Sequence, residues 1–407
     1  MKRWKKVALA LLCLLVVAQA PFIYRRYRLG RLAAVVAALN AERAAAPPRD
    51  DSHDDYAGVF HVHTSLGGHS TGSFDEVVRG AKSNRLVFVV MTEHPAAFVN
   101  TAEATLKGTR DGILFVNGSE LVVAGGERLF VIPGFAGDAA AAEAPDLQTL
   151  INRAKEEGRL ALIAYPEQVR DWRLSGFDGI EVYNLYTNSK EINYGLLAGD
   201  VLWSYWSYPD LLFSTFYERP AANLKKWDEV NASGGRRASA IAGNDAHANV
   251  GLSLRDQAGE EFLGIKLDPY ERSFRVVRNH VLLEKGQTLN AETLLAALRQ
   301  GHSYISFDIF CDAGGFRFDA ESSLEKKIMG DEIALAGREL RLSARVPVRS
   351  RIVFFRDGQI VHEEKEALGK ELMVEHPGVY RVEVYLERLG SPAGDKPWII
   401  SNPIYVR

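Results

Sequence analysis

Four of the chain's ten histidines, His61, His63, His69 and His94, fall between Phe60 and His94. Glu120 and the pair Asp245-Ala246-His247 follow downstream. Imidazole suits zinc, iron and manganese, and carboxylates can lie between two cations held a few Å apart. A lone His-x-His is weak evidence, because a single histidine is often a structural residue. The dyad His61-Val62-His63 followed by His69, His94, Glu120, Asp245 and His247 is a far more specific signal. It points to a polynuclear metal site in a hydrolase, in which cations activate a water for attack.

Such residues need rigid elements to gather them. From Gly58 onward, short apolar runs alternate with amphipathic helices. Strands are expected over 58–63, 86–91, 113–116, 129–132, 160–164, 179–183, 238–242 and 276–283. The run 86–91 is continuously apolar, as buried parallel strands tend to be. Ser73 and Glu76 form a capping-box pair ahead of a helix carrying Phe74, Val77, Val78 and Ala81 at helical spacing. Asp146 caps a second helix, with Leu147, Leu150, Ile151 and Ala154 on one face and Gly158 at its end. A third spans 291–300. This alternation predicts an α/β, barrel-like layer structure, in which active residues sit at the carboxyl ends of strands. The candidates follow that rule. His61 and His63 end the first strand, His94 lies just past the second, Glu120 past the third, and Asp245 and His247 past the strand ending at 242. Alternate residues of a strand share a face, so His61 and His63 can reach one cation.

These blocks resemble a known family. Phe60-His61-Val62-His63-Thr64-Ser65 with His69, and then Thr92-Glu93-His94, look like the first two motifs of the PHP (polymerase and histidinol phosphatase) superfamily. Asn117-Gly118-Ser119-Glu120 resembles the motif ending in a bridging glutamate, Leu162-Ile163-Ala164-Tyr165-Pro166 the His-Pro motif, and Gly243-Asn244-Asp245-Ala246-His247 the terminal Asp-x-His. The resemblance covers about residues 57–250. It implies a distorted β/α barrel, two or three divalent ions (zinc, manganese or iron) and hydrolysis of a phosphate mono- or diester by metal-bound hydroxide. By position, His61, His63, Glu120 and Asp245 would hold the first metal, His69 and His94 the second, and Glu120 with His247 a third. Asp245 and His247 are the candidate catalytic residues, His247 as the group assisting the leaving group if it is not a ligand. Two positions depart from the pattern. Tyr165 stands where the family has a ligand histidine, and a phenol with a pKa of about 10 is a poor ligand at neutral pH. Glu93 replaces the usual aspartate. A two-metal site is therefore the expectation, with Glu181 and Asn184 as further polar residues at a strand end. A catalytically degenerate PHP scaffold used for binding, and a hydrolase of a non-phosphate ester or amide, are the alternative readings.

The flanking regions set the context. Lys2, Arg3, Lys5 and Lys6 precede an apolar run over 7–24, and Arg25, Arg26, Arg28 and Arg31 follow it. A helix of that length spans roughly 27 Å, close to the ~30 Å hydrocarbon core. Residues 1–30 are read as a membrane anchor or a signal segment. Ala18-Gln19-Ala20 fits a signal-cleavage pattern, but Pro21 and the basic flank favour retention. The expected location is a membrane, a bacterial inner membrane with the soluble domains outside the cytoplasm, although basic charge on both flanks blunts the orientation rule. Residues 31–56 are expected to form a helical stalk and a linker around Pro47, Pro48, Asp50 and Asp51, with His53 in a solvated acidic segment. Residues 57–312 would form the PHP-like metallohydrolase domain. The aromatic-rich stretch 185–227 is read as an insertion packing into the core or as a lid or membrane-facing surface. Over 313–407 the alternation of Leu340, Leu342, Ala344 and Val346, and the turn Asp357-Gly358, predict a small immunoglobulin-like β-sandwich.

Across its 407 residues the chain carries a formal charge of −3, which gives no basic footprint for nucleic acid. The expected partners are a small phosphoester and a membrane. The two cysteines, Cys13 and Cys311, lie too far apart in context to suggest a disulfide. Oligomeric state is open.

Overall fold

Ala- and Leu-rich sequence propagates helix well, and the chain opens on a single helix, Arg3–Ala45, that continues through Pro21. The computed structural model describes residues 3–46, 52–135, 144–190, 193–255, 261–335 and 339–407; the Pro47 to Asp51 linker lies outside them. The helix is about 65 Å long at 1.5 Å per residue, and its apolar 18-residue window is wholly exposed. Its second half is not a free stalk. Leu29 and Leu39 are buried, Asn40 donates to the Phe310 carbonyl (3.1 Å) and Arg43 to that of Gly314 (2.7 Å). The Leu and Val positions that make this half amphipathic give it a face to dock.

The architecture is mixed α/β with large sheets. Strand His53–Val62 runs parallel to Phe88–Met91, which runs parallel to Ile113–Val116, and antiparallel to Arg278–Glu284. Residues 53–56 therefore belong to a strand, not to a solvated linker. Asp55 explains why an acidic residue can enter the sheet. It accepts from Tyr304 Oη (2.7 Å) and pairs with His280 Nδ1 (2.7 Å) and Arg317 Nη1 (3.3 Å). Burial pushes the Asp55 carboxyl up, but His280 and Arg317 outweigh it and hold it at about 2. Burial likewise opposes charge on His280, yet Asp55 and Asp308 raise it to about 10.

The sign of the resulting pH dependence follows from linkage. The His280 contribution is complete below its ordinary value of 6.5 and is lost as pH rises toward about 10. The Asp55 contribution is complete above 3.8 and is lost as pH falls toward about 2. Removing one member of a buried pair typically costs ~3–5 kcal/mol. His280→Leu should therefore lower the urea midpoint strongly near pH 6, and the gap to wild type should narrow by about pH 9.5. A gap that is the same at both pH values would show that His280 is not held protonated.

A second sheet has the order Ser119–Val122, Arg128–Ile132, Leu160–Ala164, Gly179–Asn184, Ser239–Gly243. The first three strands pair antiparallel and the last three parallel. Glu120 lies past Ile113–Val116 as expected and is itself inside a further short strand, one that four residues of mixed character do not advertise. Two isolated bridges stitch the sheets together, Val62 to Ala246 and Glu93 to Ser119. Both lie beside the histidines.

The C-terminal hairpin Leu340–Arg356 and Gln359–Met373 turns at Asp357-Gly358, whose φ values of 50° and 78° are those a type I′ turn requires. The strands here do not close off as a unit. Pro397–Ser401 pairs with Ser303–Ser306, so the hydrogen-bonded path continues into the sheet of the first strand, 14 strands in all. The aromatic stretch divides: Tyr205, Tyr217 and Trp227 are buried in the core, whereas Trp206 is 80% exposed. Cys13 and Cys311 are both free, Cys311 in the interior.

Candidate metal centre

The floor of the site is built by three residues in the left-handed backbone region, His61 (φ 67°), Tyr165 (φ 45°) and Asp245 (φ 49°). Non-glycine residues seldom adopt it, and each such residue costs about 1–3 kcal/mol. All three side chains converge on one point. At His61 the strand register shifts between Phe60 and Val62, so it is a bulge, not simple alternation, that turns His61 and His63 to the same place. Gly243 is required nearby: a Cβ there would lie 1.8 Å from Glu181 Oε1 and 2.9 Å from His61 Nδ1.

His61, His63 and Glu120 are fully buried and Asp245 nearly so. Around Glu120 Oε2 stand three imidazole nitrogens, His61 Nε2 at 3.0 Å, His63 Nε2 at 3.3 Å and His94 Nε2 at 3.5 Å. Asp245 Oδ1 lies 3.3 Å from His61 Nε2 and 3.4 Å from His63 Nε2. Above this floor, toward solvent, His247 Nε2 faces His69 Nε2 at 2.7 Å. The His63 ring is stacked between those of His94 (4.8 Å) and His247 (4.6 Å). All seven predicted ligands are therefore in one cluster. Their ligand atoms form two compact groups that share His63, namely His61, His63, Glu120 and His63, His69, His247. The grouping differs from the expectation in pairing His69 with His247.

The donor set passes a direct test of fit to cations. His63 Nε2 and Asp245 Oδ1 are buried with no hydrogen-bond partner among the described residues, although they face one another at 3.4 Å. Buried polar atoms are normally satisfied, and a cation between them would satisfy these. Electrostatics agree. Burial lowers His94 to about 3 and His247 to about 4, and lowers His69 as well, leaving neutral lone pairs. Burial opposes charge on His61 and His63 too, but Asp245, Glu120 and, for His61, Glu181 raise them. Protons hold there the place a cation would take.

No family model and no curated protein matches the chain. A solved structure, PsfC from Pseudomonas syringae PB-5123, is 15% identical and aligns over 62% of this chain and 92% of its own, with a TM-score of 0.35, too low to carry an argument.

The surrounding shell holds residues that sequence left undecided. Glu181 Oε1 takes His61 Nδ1 at 2.6 Å, a contact on the far side of the ring that fixes a ligand histidine's orientation. Asn184 donates to Glu181 and Asp245, each at 3.3 Å. Tyr165 is not turned to the histidines as a ligand; its hydroxyl donates to Asp245 Oδ2, and burial followed by the nearby carboxylates pushes its pKa far up. Glu93 faces away, accepting from Thr64 N (3.0 Å), Thr64 Oγ1 (2.6 Å) and Thr105 Oγ1 (3.2 Å), so it braces the turn after His63. Arg128 was missed. Its Nη1 lies 2.5 Å from Glu120 Oε1 and its guanidinium sits 4.8 Å over the Tyr165 ring. The only sequence signal was its place directly before the expected strand 129–132.

Proposed function

We propose that this chain is a membrane-anchored, metal-dependent phosphoesterase of the PHP superfamily. The observation that carries the reading is the buried His63 at the junction of two ligand groups, its Nε2 facing Glu120 and Asp245 at ion-pairing distance. His61, His63, Glu120 and Asp245 would hold one cation, and His69, His94 and His247 would serve the second. When bound, divalent cations in such a site lower the pKa of a water and neutralise charge on the phosphoryl group. The chain's own residues do the rest. Glu181 orients His61, Arg128 offers a guanidinium for phosphoryl oxygens, and His247, whose Nδ1 meets the Asp245 carbonyl, keeps its Nε2 lone pair for the cation.

The finer fold reading belongs here too. Seven strands, joined by the bridges Val62 to Ala246 and Glu93 to Ser119, trace a ring around the site, which supports a distorted barrel. Alternating burial along Leu340–Arg356 supports a sandwich-type packing of the C-terminal strands. The long exposed apolar helix supports the anchor.

Metal content measured together with turnover of phosphomonoesters and phosphodiesters tests the reading. Two equivalents of manganese, zinc or iron with hydrolysis of at least one ester class is expected; protein that binds metal and cleaves none would be a binding scaffold. Tyr165 permits a sharper check. Because its hydroxyl engages Asp245 Oδ2, Tyr165→His should raise the metal content from two toward three per chain, and Tyr165→Phe should leave it at two. Unchanged stoichiometry in Tyr165→His would mean that this tyrosine does not limit the third site.

A further inference from the structure

Helix Tyr194–Ser204 has the composition of a membrane segment on what would otherwise be a water-facing surface. Asp200 is its one charged residue, and that charge is neutralised by Arg25, whose Nε lies 2.7 Å from Asp200 Oδ1. Leu196, Leu202 and the adjacent Trp206 are 42%, 74% and 80% exposed. A surface helix in water normally turns charged residues outward, and this one turns out leucine and tryptophan. The helix lies along the apolar part of Arg3–Ala45. Phe22 packs where a Cβ on Gly199 would clash, at 2.1 Å, and Trp203 Nε1 donates to Gln19 Oε1 (2.8 Å). Leu15, Val16, Gln19, Leu202 and Trp203 line an open, apolar cleft of about 320 Å³. Leu15 stands ten residues before Arg25, about 15 Å along the helix, so the cleft lies on the apolar side of the arginines.

We infer that helix Tyr194–Ser204 with Trp206 is a second membrane contact, seated in the same bilayer as the anchor, with lipid acyl chains covering Leu196, Leu202, Trp206 and the cleft. The inference rests on the reading of Arg3–Ala45 as a retained anchor. Continuity with that helix selects lipid as the occupant: the contact begins on residues of the exposed apolar window and ends at Arg25 and Arg26, the charges expected at a headgroup boundary. Tryptophan favours this boundary, and an interfacial helix buries its apolar face about 5–10 Å deep. The preceding helix, Leu185–Lys190, starts directly after Asn184 and brings Tyr186 against His247, with ring centroids 5.7 Å apart.

The test uses the full chain in phosphatidylcholine vesicles with and without bromine on the acyl chains. Subtracting the emission of Trp206→Phe from that of wild type isolates Trp206, one of six tryptophans. Its emission should be blue-shifted and lose at least half its intensity in the brominated lipid. A red-shifted, unquenched difference spectrum would place Trp206 in water, and a blue-shifted, unquenched one would place it under protein; either overturns the inference. Flotation of the vesicles after an alkaline wash reads the anchor separately. Protein that fails to float overturns both readings, whereas protein that floats with Trp206 unquenched overturns only the second contact. Leu202→Cys in a Cys13→Ser background supplies an independent probe, since Cys311 is buried with its thiol pushed up to about 12. A nitroxide there should be more accessible to oxygen than to an aqueous nickel chelate, and the reverse order would refute the contact.

Discussion

His63→Ala should reduce hydrolysis of an activated phosphodiester to background and strip the protein of metal, a loss beyond the ~10–100-fold typical of an outer-shell partner. The reason is the position of His63 in both ligand groups, so one substitution disables both. Its ring lies between His94 and His247, and its Nε2 is within 3.4 Å of Asp245 and 3.3 Å of Glu120. Glu181→Gln is the proper comparison. Glu181 meets the ligand set at the far nitrogen of His61, at 2.6 Å, and otherwise accepts from Asn184 and the Tyr165 N–H; its replacement keeps the size and one acceptor, so the loss should fall within that ~10–100-fold range with metal retained. Measuring kcat/KM with added manganese or zinc, alongside metal content, distinguishes the two variants. Equal losses in both would mean that His63 is a structural residue and that the proposed centre is wrong.

Ligand types at strand ends were legible because a strand's limits show as a change from apolar to polar sequence. That rule placed His61, His63, His94, Asp245 and His247 correctly near one another. It placed Glu120 as well, which follows Ile113–Val116, but left unread the further strand that holds it, Ser119–Val122, four residues being too few to show a period. It also gave the wrong reason for the convergence of His61 and His63. Alternation is broken at His61 by a left-handed residue, and a single φ leaves no mark on residue type unless glycine occupies it. Arg128 and Asp55 were hidden for another reason. Asp55 is defined by His280, some 225 positions on, and Arg128 by Glu120, only eight residues away but met across a strand pair. Local pattern carries no information about such pairings. The C-terminal alternation was read as a separate sandwich, since periodicity shows which face is buried but not which edge is paired. The edge of Pro397–Ser401 is joined to Ser303–Ser306.

Removing metal should destabilise the protein as well as silence it. Without a cation, His63 Nε2 and Asp245 Oδ1 face one another at 3.4 Å with no hydrogen bond among the described residues, and an unsatisfied buried group costs about 1–3 kcal/mol. A cation bound only by the native state adds ~4.1 kcal/mol at a thousandfold excess over Kd. For folded units of 150–250 residues each kcal/mol moves the midpoint by about 2–4 °C, so chelation should lower Tm by roughly 8–16 °C. Readdition of manganese or zinc should restore it. The detergent-solubilised full chain can be followed by scanning calorimetry with chelator, after dialysis and after metal return. His63→Ala is the control that ties the effect to this cluster: lacking the shared ligand, it should unfold at a midpoint that neither chelator nor metal moves. A metal-dependent shift that survives His63→Ala would place the stabilising cation elsewhere in the protein. No shift in wild type would leave the buried imidazoles protonated in place of metal, and would remove the basis for the hydrolase reading.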